Sequence, residues 1–68
     1  MNSIEAILPY FEYEHLPERL KEVSRVFYRM AHDLAARAVR EEADYRETLA
    51  ALRKLLEAKD CAVRAALQ

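Results

Sequence analysis

The chain has 68 residues, 53% hydrophobic and 34% charged, with two Pro, no Gly and a formal net charge of -1. This is one small helix-prone domain, too short for a multidomain enzyme, and a lone core of this size supplies only about 3 to 5 kcal/mol. Cys61 has no second cysteine to bridge to, and His15 and His32 stand 17 positions apart outside any metal-ligand spacing, so self-association is the support that remains.

No apolar run approaches the roughly 18 residues that indicate a membrane span. Residues 1–8 contain Glu5 and no Lys or Arg, unlike the basic start of an export signal. A lone cysteine suits a reducing compartment, so a soluble cytoplasmic protein is expected, with no membrane partner. Charge is unevenly spread. Residues 1–18 hold four Glu and no basic residue, whereas 19–68 hold 11 basic and 8 acidic side chains. Eight of the basic residues are Arg, whose planar fork suits phosphate and carboxylate. A pI near 6.1 argues against long nucleic acid while permitting a small phosphate compound.

The first element, residues 1–16, reads as an extended arm. Phe11 and Tyr13 alternate with Glu12 and Glu14, and Pro9 and Pro17 disfavour helix at Leu8 and Leu16. Helix one is predicted over 17–40, opening on Pro17 and Glu18. Its apolar stripe is Leu20, Val23, Phe27, Met30 and Leu34. Asp44 and Glu47 form a capping box at the start of helix two, predicted over 44–67. A short link between helices of similar length folds them back antiparallel. The fold class is therefore all-α, an antiparallel two-helix hairpin with an extended N-terminal arm, in one domain over 1–68. Helix two carries two seams. Leu49, Leu52, Leu56 and Val63 make one, and Ala51, Leu55, Ala58, Ala62 and Ala65 the other. One partner helix covers one seam, so the alanine-rich seam points to assembly into a helical oligomer.

No nucleophile with a base, and no carboxylate pair, stands out. Cys61 beside Asp60 and His32 beside Asp33 are sequence neighbours, which on a helix do not face each other. The expectation is a non-enzyme with no cofactor or metal. The arm is more informative, because Tyr10, Phe11 and Tyr13 gather three of six aromatics into four positions. Structurally they staple the arm onto the hairpin or a neighbouring subunit; functionally they are a stacking platform for a planar ligand, each stacked base contributing about 1 to 3 kcal/mol. Arg25 and Arg29 lie one turn apart on helix one. Arg29, Asp33 and Arg37 continue as an i+4 ion-pair row, and Arg25 is the better candidate for phosphate.

Two stretches together resemble a known family, the small phage hairpin proteins that act as sponges for cyclic nucleotides. The first is Phe11-x-Tyr13-x-His15-x-Pro17 with the Leu20 and Val23 stripe. The second runs from Arg46-Glu47 through Ala51-Leu52-x-Lys54-Leu55-x-Glu57-Ala58 to Ala62. The family includes anti-CBASS sponges for cyclic di- and trinucleotides and Thoeris anti-defence sponges for a cyclic ADP-ribose isomer. The resemblance implies a homo-oligomer, typically a hexamer, that binds such a signal without cleaving it in the cytoplasm of an infected bacterium. It also implies an arm aromatic stacked on a base, best matched by Tyr13 with Tyr10 or Phe11 as substitutes. A basic residue of helix one would meet phosphate. That family position falls opposite Phe27 or Tyr28 here, so Arg25 or Arg29 would serve from a neighbouring turn, or Tyr28 would add a second ring. Lys59-Asp60-Cys61 replaces the family's tryptophan-containing end of helix two. Two other classes fit the hairpin: a Rop-like adaptor binding RNA or a partner helix, and a structural phage component whose arm swaps between subunits.

Overall fold

The computed structural model describes residues 2–67 and is helical throughout its ordered elements. The order is α1 (Ile4–Ile7), a 3-10 turn (Leu8–Phe11), α2 (Glu18–Val39) and α3 (Tyr45–Ala66). The two long helices pack against each other, with the 3-10 turn on α2 and α1 on α3.

Helix limits follow from their caps. Pro17 is the N-cap of α2, one position before its expected place inside the helix, and its carbonyl accepts the Leu20 and Lys21 N–H groups. Asp44 caps α3 by accepting the Glu47 N–H at 2.8 Å. Between them α2 closes on Arg40 and Glu41. The Glu42 N–H reaches the Arg37 carbonyl at 2.8 Å and the Glu41 N–H reaches that of Ala38 at 3.1 Å, the paired bonds of a Schellman ending. This ending places Glu41 at φ 59°, a left-handed position that glycine fills without steric cost. A chain without glycine carries that strain at its hairpin turn.

The arm departs from the extended expectation. Ser3 caps a short helix by accepting the Ala6 N–H at 3.1 Å. Pro9 then sits early in the 3-10 turn, where a missing N–H costs nothing. The backbone becomes extended again at Glu12. The overlooked signal is the spacing of Ile4, Ile7, Leu8 and Phe11, which is helical and marks the face that docks. Ile4, Ile7 and Phe11 are buried, with Phe11 fully enclosed.

That docking also shifts the buried face of α2. Leu20, Ser24, Ala31, Ala35 and Ala38 line the core, while Phe27 and Leu34 flank it and Met30 lies 42% exposed. Small side chains face the arm because its Ile and Phe side chains occupy the space above them. On α3, Leu49 and Leu52 are buried and Leu56 and Val63 half-buried, whereas Ala51, Ala58 and Ala65 of the second seam are exposed.

At about 100° per residue, Tyr28 and His32 lie on one flank of the buried line of α2, and Val23, Phe27, Met30 and Leu34 lie on the other. Likewise Leu56 and Val63 flank α3 on one side, and Ala51, Leu55, Ala58 and Ala62 on the other. Tyr13 touches Tyr28, and Tyr10 meets Lys59, so the arm covers one side of the hairpin. The opposite side presents half-buried Val23, Phe27 and Leu34 beside exposed alanines.

Phe11→Ala is expected to destabilise the fold by about 3 to 5 kcal/mol. Tyr10→Ala, at a ring 58% exposed, should cost less than about 0.5 kcal/mol. Urea melts followed by circular dichroism check both; similar losses from the two would place Phe11 outside the core.

Candidate functional site

The surface of α2 beside the arm carries Arg25, Tyr28 and His32 at i, i+3 and i+7, which places them on one flank of the helix. The chain brings Tyr13 over this row by a tight turn, in which the Leu16 N–H donates to the Tyr13 carbonyl at 3.0 Å just before Pro17 starts α2. The Tyr13 and Tyr28 rings meet edge to face with centroids 5.1 Å apart and planes at 69°. Tyr28 in turn lies against His32, centroids 4.2 Å apart. The Arg25 guanidinium carbon sits 5.6 Å from the Tyr13 ring centroid, within cation–π range. All four side chains are half-buried.

The cluster holds an unspent donor. The Nε of Arg25 is buried and has no hydrogen-bond partner, a situation that costs about 1 to 3 kcal/mol where no acceptor is supplied. Its position over Tyr13 leaves the guanidinium fork beside an aromatic surface. Chemically this suits a ligand with a flat ring and an anionic oxygen, the ring meeting the tyrosines and the oxygen meeting Arg25.

Of the residues singled out by sequence, Tyr13, Arg25 and Tyr28 are brought together. Arg29 is exposed one turn beyond Arg25. Asp33 pairs with Arg37 at 3.1 Å with both side chains more than half exposed, worth a few tenths of a kcal/mol at about the level of surface pairs generally. Tyr10 is exposed on the other side of the arm, where its carbonyl accepts a hydrogen bond from Lys59. Phe11 lies in the core at 0% exposed, where it presents no free face to a ligand and staples the arm to the hairpin. His32 was missed because its neighbour Asp33 drew attention, although the i-4 spacing to Tyr28 was the informative one.

A double-mutant cycle over Tyr13 and Tyr28, each replaced by Leu, should return a coupling of about 0.5 to 1.5 kcal/mol. Thermal or urea unfolding of the four variants measures it, and a coupling near zero would mean that the arm does not hold Tyr13 on α2. Comparison with family models, with curated proteins and with solved structures returns no significant match, so the chemistry of this site rests on its own residues.

Proposed function

We propose that this chain is a non-catalytic sponge that binds and sequesters a cyclic nucleotide second messenger of bacterial anti-phage signalling. The ligand is a cyclic di- or trinucleotide or a cyclic ADP-ribose isomer, captured as a homo-oligomer, a hexamer by family resemblance, in the cytoplasm of an infected cell. The observation that carries this reading is the pairing of Tyr13 with Arg25 and Tyr28. A base stacks on Tyr13 and a phosphate oxygen takes the terminal N–H groups of the Arg25 guanidinium beside it. The resemblance of Phe11-x-Tyr13-x-His15-x-Pro17 to the arm of the sponge proteins supports the same assignment.

Assembly multiplies the site. A two-fold interface presents each residue twice, which matches the near two-fold symmetry of a cyclic dinucleotide. Two stacked bases at about 1 to 3 kcal/mol each and two charge-assisted contacts at about 1.5 to 3 each supply about 5 to 12 kcal/mol gross, the upper limit reaching the -12 kcal/mol of a nanomolar site. The open side of the hairpin supports self-association. It carries a bulky row on α2 (Val23, Phe27, Met30, Leu34) and a small row on α3 (Ala51, Ala58, Ala62), so a two-fold copy seats each bulky row on the other's alanines.

Native mass spectrometry of the protein with a panel of cyclic di- and trinucleotides and cyclic ADP-ribose isomers tests the reading. The expected result is an oligomer that gains intact ligand in fixed stoichiometry; an assembly that ignores the whole panel would sink it. Tyr13→Ala should abolish that binding while leaving the oligomer whole, and unchanged affinity would remove the stacking role. Leu55→Asp, by charging the centre of the open face, should dissociate the assembly into single chains.

A further inference from the structure

On the other side of the arm from the tyrosine cluster, a cleft of about 400 Å³ opens between residues 9–16 and the C-terminal half of α3. Pro9, Tyr10, Leu16 and Val63 give it apolar walls, with His15 and Arg64 also on its lining. Lys59 lines it too, although its side chain is among the most buried polar groups of the fold, at 8% exposed. We propose that this cleft is a second binding site, separate from the tyrosine cluster, and that it takes a small monocarboxylate with an apolar body whose carboxylate pairs with Lys59.

The case begins with the donors of Lys59. An ammonium has three N–H groups. One donates to the Tyr10 carbonyl at 2.6 Å, and Nζ lies 5.9 Å from the centroid of the buried Phe11 ring. Among the described residues Lys59 forms no ion pair. A buried cation without a contact ion pair is costly. Burial accordingly pushes the Lys59 pKa down, opposed at longer range by the Asp60 and Glu12 carboxylates. A carboxylate entering the cleft supplies an ion-pair partner at contact distance, and a charge-assisted bond is stronger than a neutral one.

The lining also selects among anions. Glu12 and Asp60 border the same space, and their negative charge disfavours a dianion or polyphosphate more than a single carboxylate. Four apolar walls favour a ligand with a flat or short hydrocarbon body. The occupant differs in chemistry from the phosphate compound of the tyrosine cluster, and the site stands whether or not that first reading holds.

Titration of the intact protein with benzoate and with benzamide, its uncharged isostere, followed by two-dimensional amide NMR, tests the proposal. Benzoate is expected to saturate with shifts at Tyr10, Lys59 and Val63, and benzamide to bind at least about tenfold more weakly, the loss of one charge-assisted contact. Lys59→Met should lower benzoate affinity by a similar factor. Because that change also removes the bond to Tyr10, Val63→Trp provides the second variant, filling the apolar wall while leaving Lys59 in place; it should abolish binding with the melting temperature unchanged. Tyr13→Ala should leave benzoate binding intact, which separates this site from the tyrosine cluster. Benzamide binding as tightly as benzoate, full binding by Val63→Trp, or displacement of benzoate by equimolar inorganic phosphate would each overturn the proposal.

Discussion

The fold depends on the arm closing over small side chains. Ser24, Ala31, Ala35 and Ala38 of α2 are buried, yet four such residues offer little apolar surface for α3 alone to cover. Ile4, Ile7 and Phe11 supply the missing volume as a third layer above the helix pair. Each fully buried Ile or Phe side chain contributes about 1.5 to 3 kcal/mol, a large share for a domain whose whole stability is marginal. The arm is thus core rather than appendage, which explains why it coils into α1 and a 3-10 turn. Backbone docked against apolar side chains needs its own hydrogen bonds, and short helical segments provide them.

Docking the arm in one register assigns separate tasks to residues that are almost adjacent. The inward direction takes Phe11. Tyr10, one position earlier, turns its carbonyl to Lys59 and lines the cleft on α3. Tyr13, two positions later, falls on the opposite flank against Tyr28 and Arg25. A slip of the arm along the hairpin would disturb both surfaces at once, so the burial of Phe11 acts as the positional reference for two separate clusters.

The long helices were legible from sequence because apolar spacing and capping residues are local signals. Asp44 and Pro17 mark their starts within one residue. The arm was misread because two local rules pointed to extension, the residues before proline and the Phe11 and Tyr13 alternation, whereas the competing helical spacing of Ile4, Ile7 and Phe11 acquires force only when a tertiary surface receives it. The same surface hid the buried line of α2. Large apolar residues at Val23, Phe27 and Met30 dominate a periodicity reading, but the buried positions include Ser24, Ala31 and Ala35. Of the site, the pairing of Tyr28 with His32 follows from helix spacing alone. The approach of Tyr13 does not, since it depends on the turn before Pro17 and on the depth to which Phe11 sinks.

The attachments of the arm bear on how a ligand would meet it. The acidic arm and basic body suggest electrostatic docking; among the described residues the ion pairs Arg37–Asp33 and Arg40–Glu42 lie within the hairpin, while Glu12 of the arm acts on Lys59 of α3 at longer range. The arm is tied by neutral burial, by the Ile4 N–H donating to the Tyr45 hydroxyl at 2.9 Å, and by Lys59 on the Tyr10 carbonyl. These bonds fasten both ends of the α1 and 3-10 segment to one rigid helix, α3. Salt screens exposed charges far more than such part-buried contacts. A ring delivered by a fixed arm is already in position when a ligand arrives, and the ordering cost that weakens recognition by loose segments is met by folding itself.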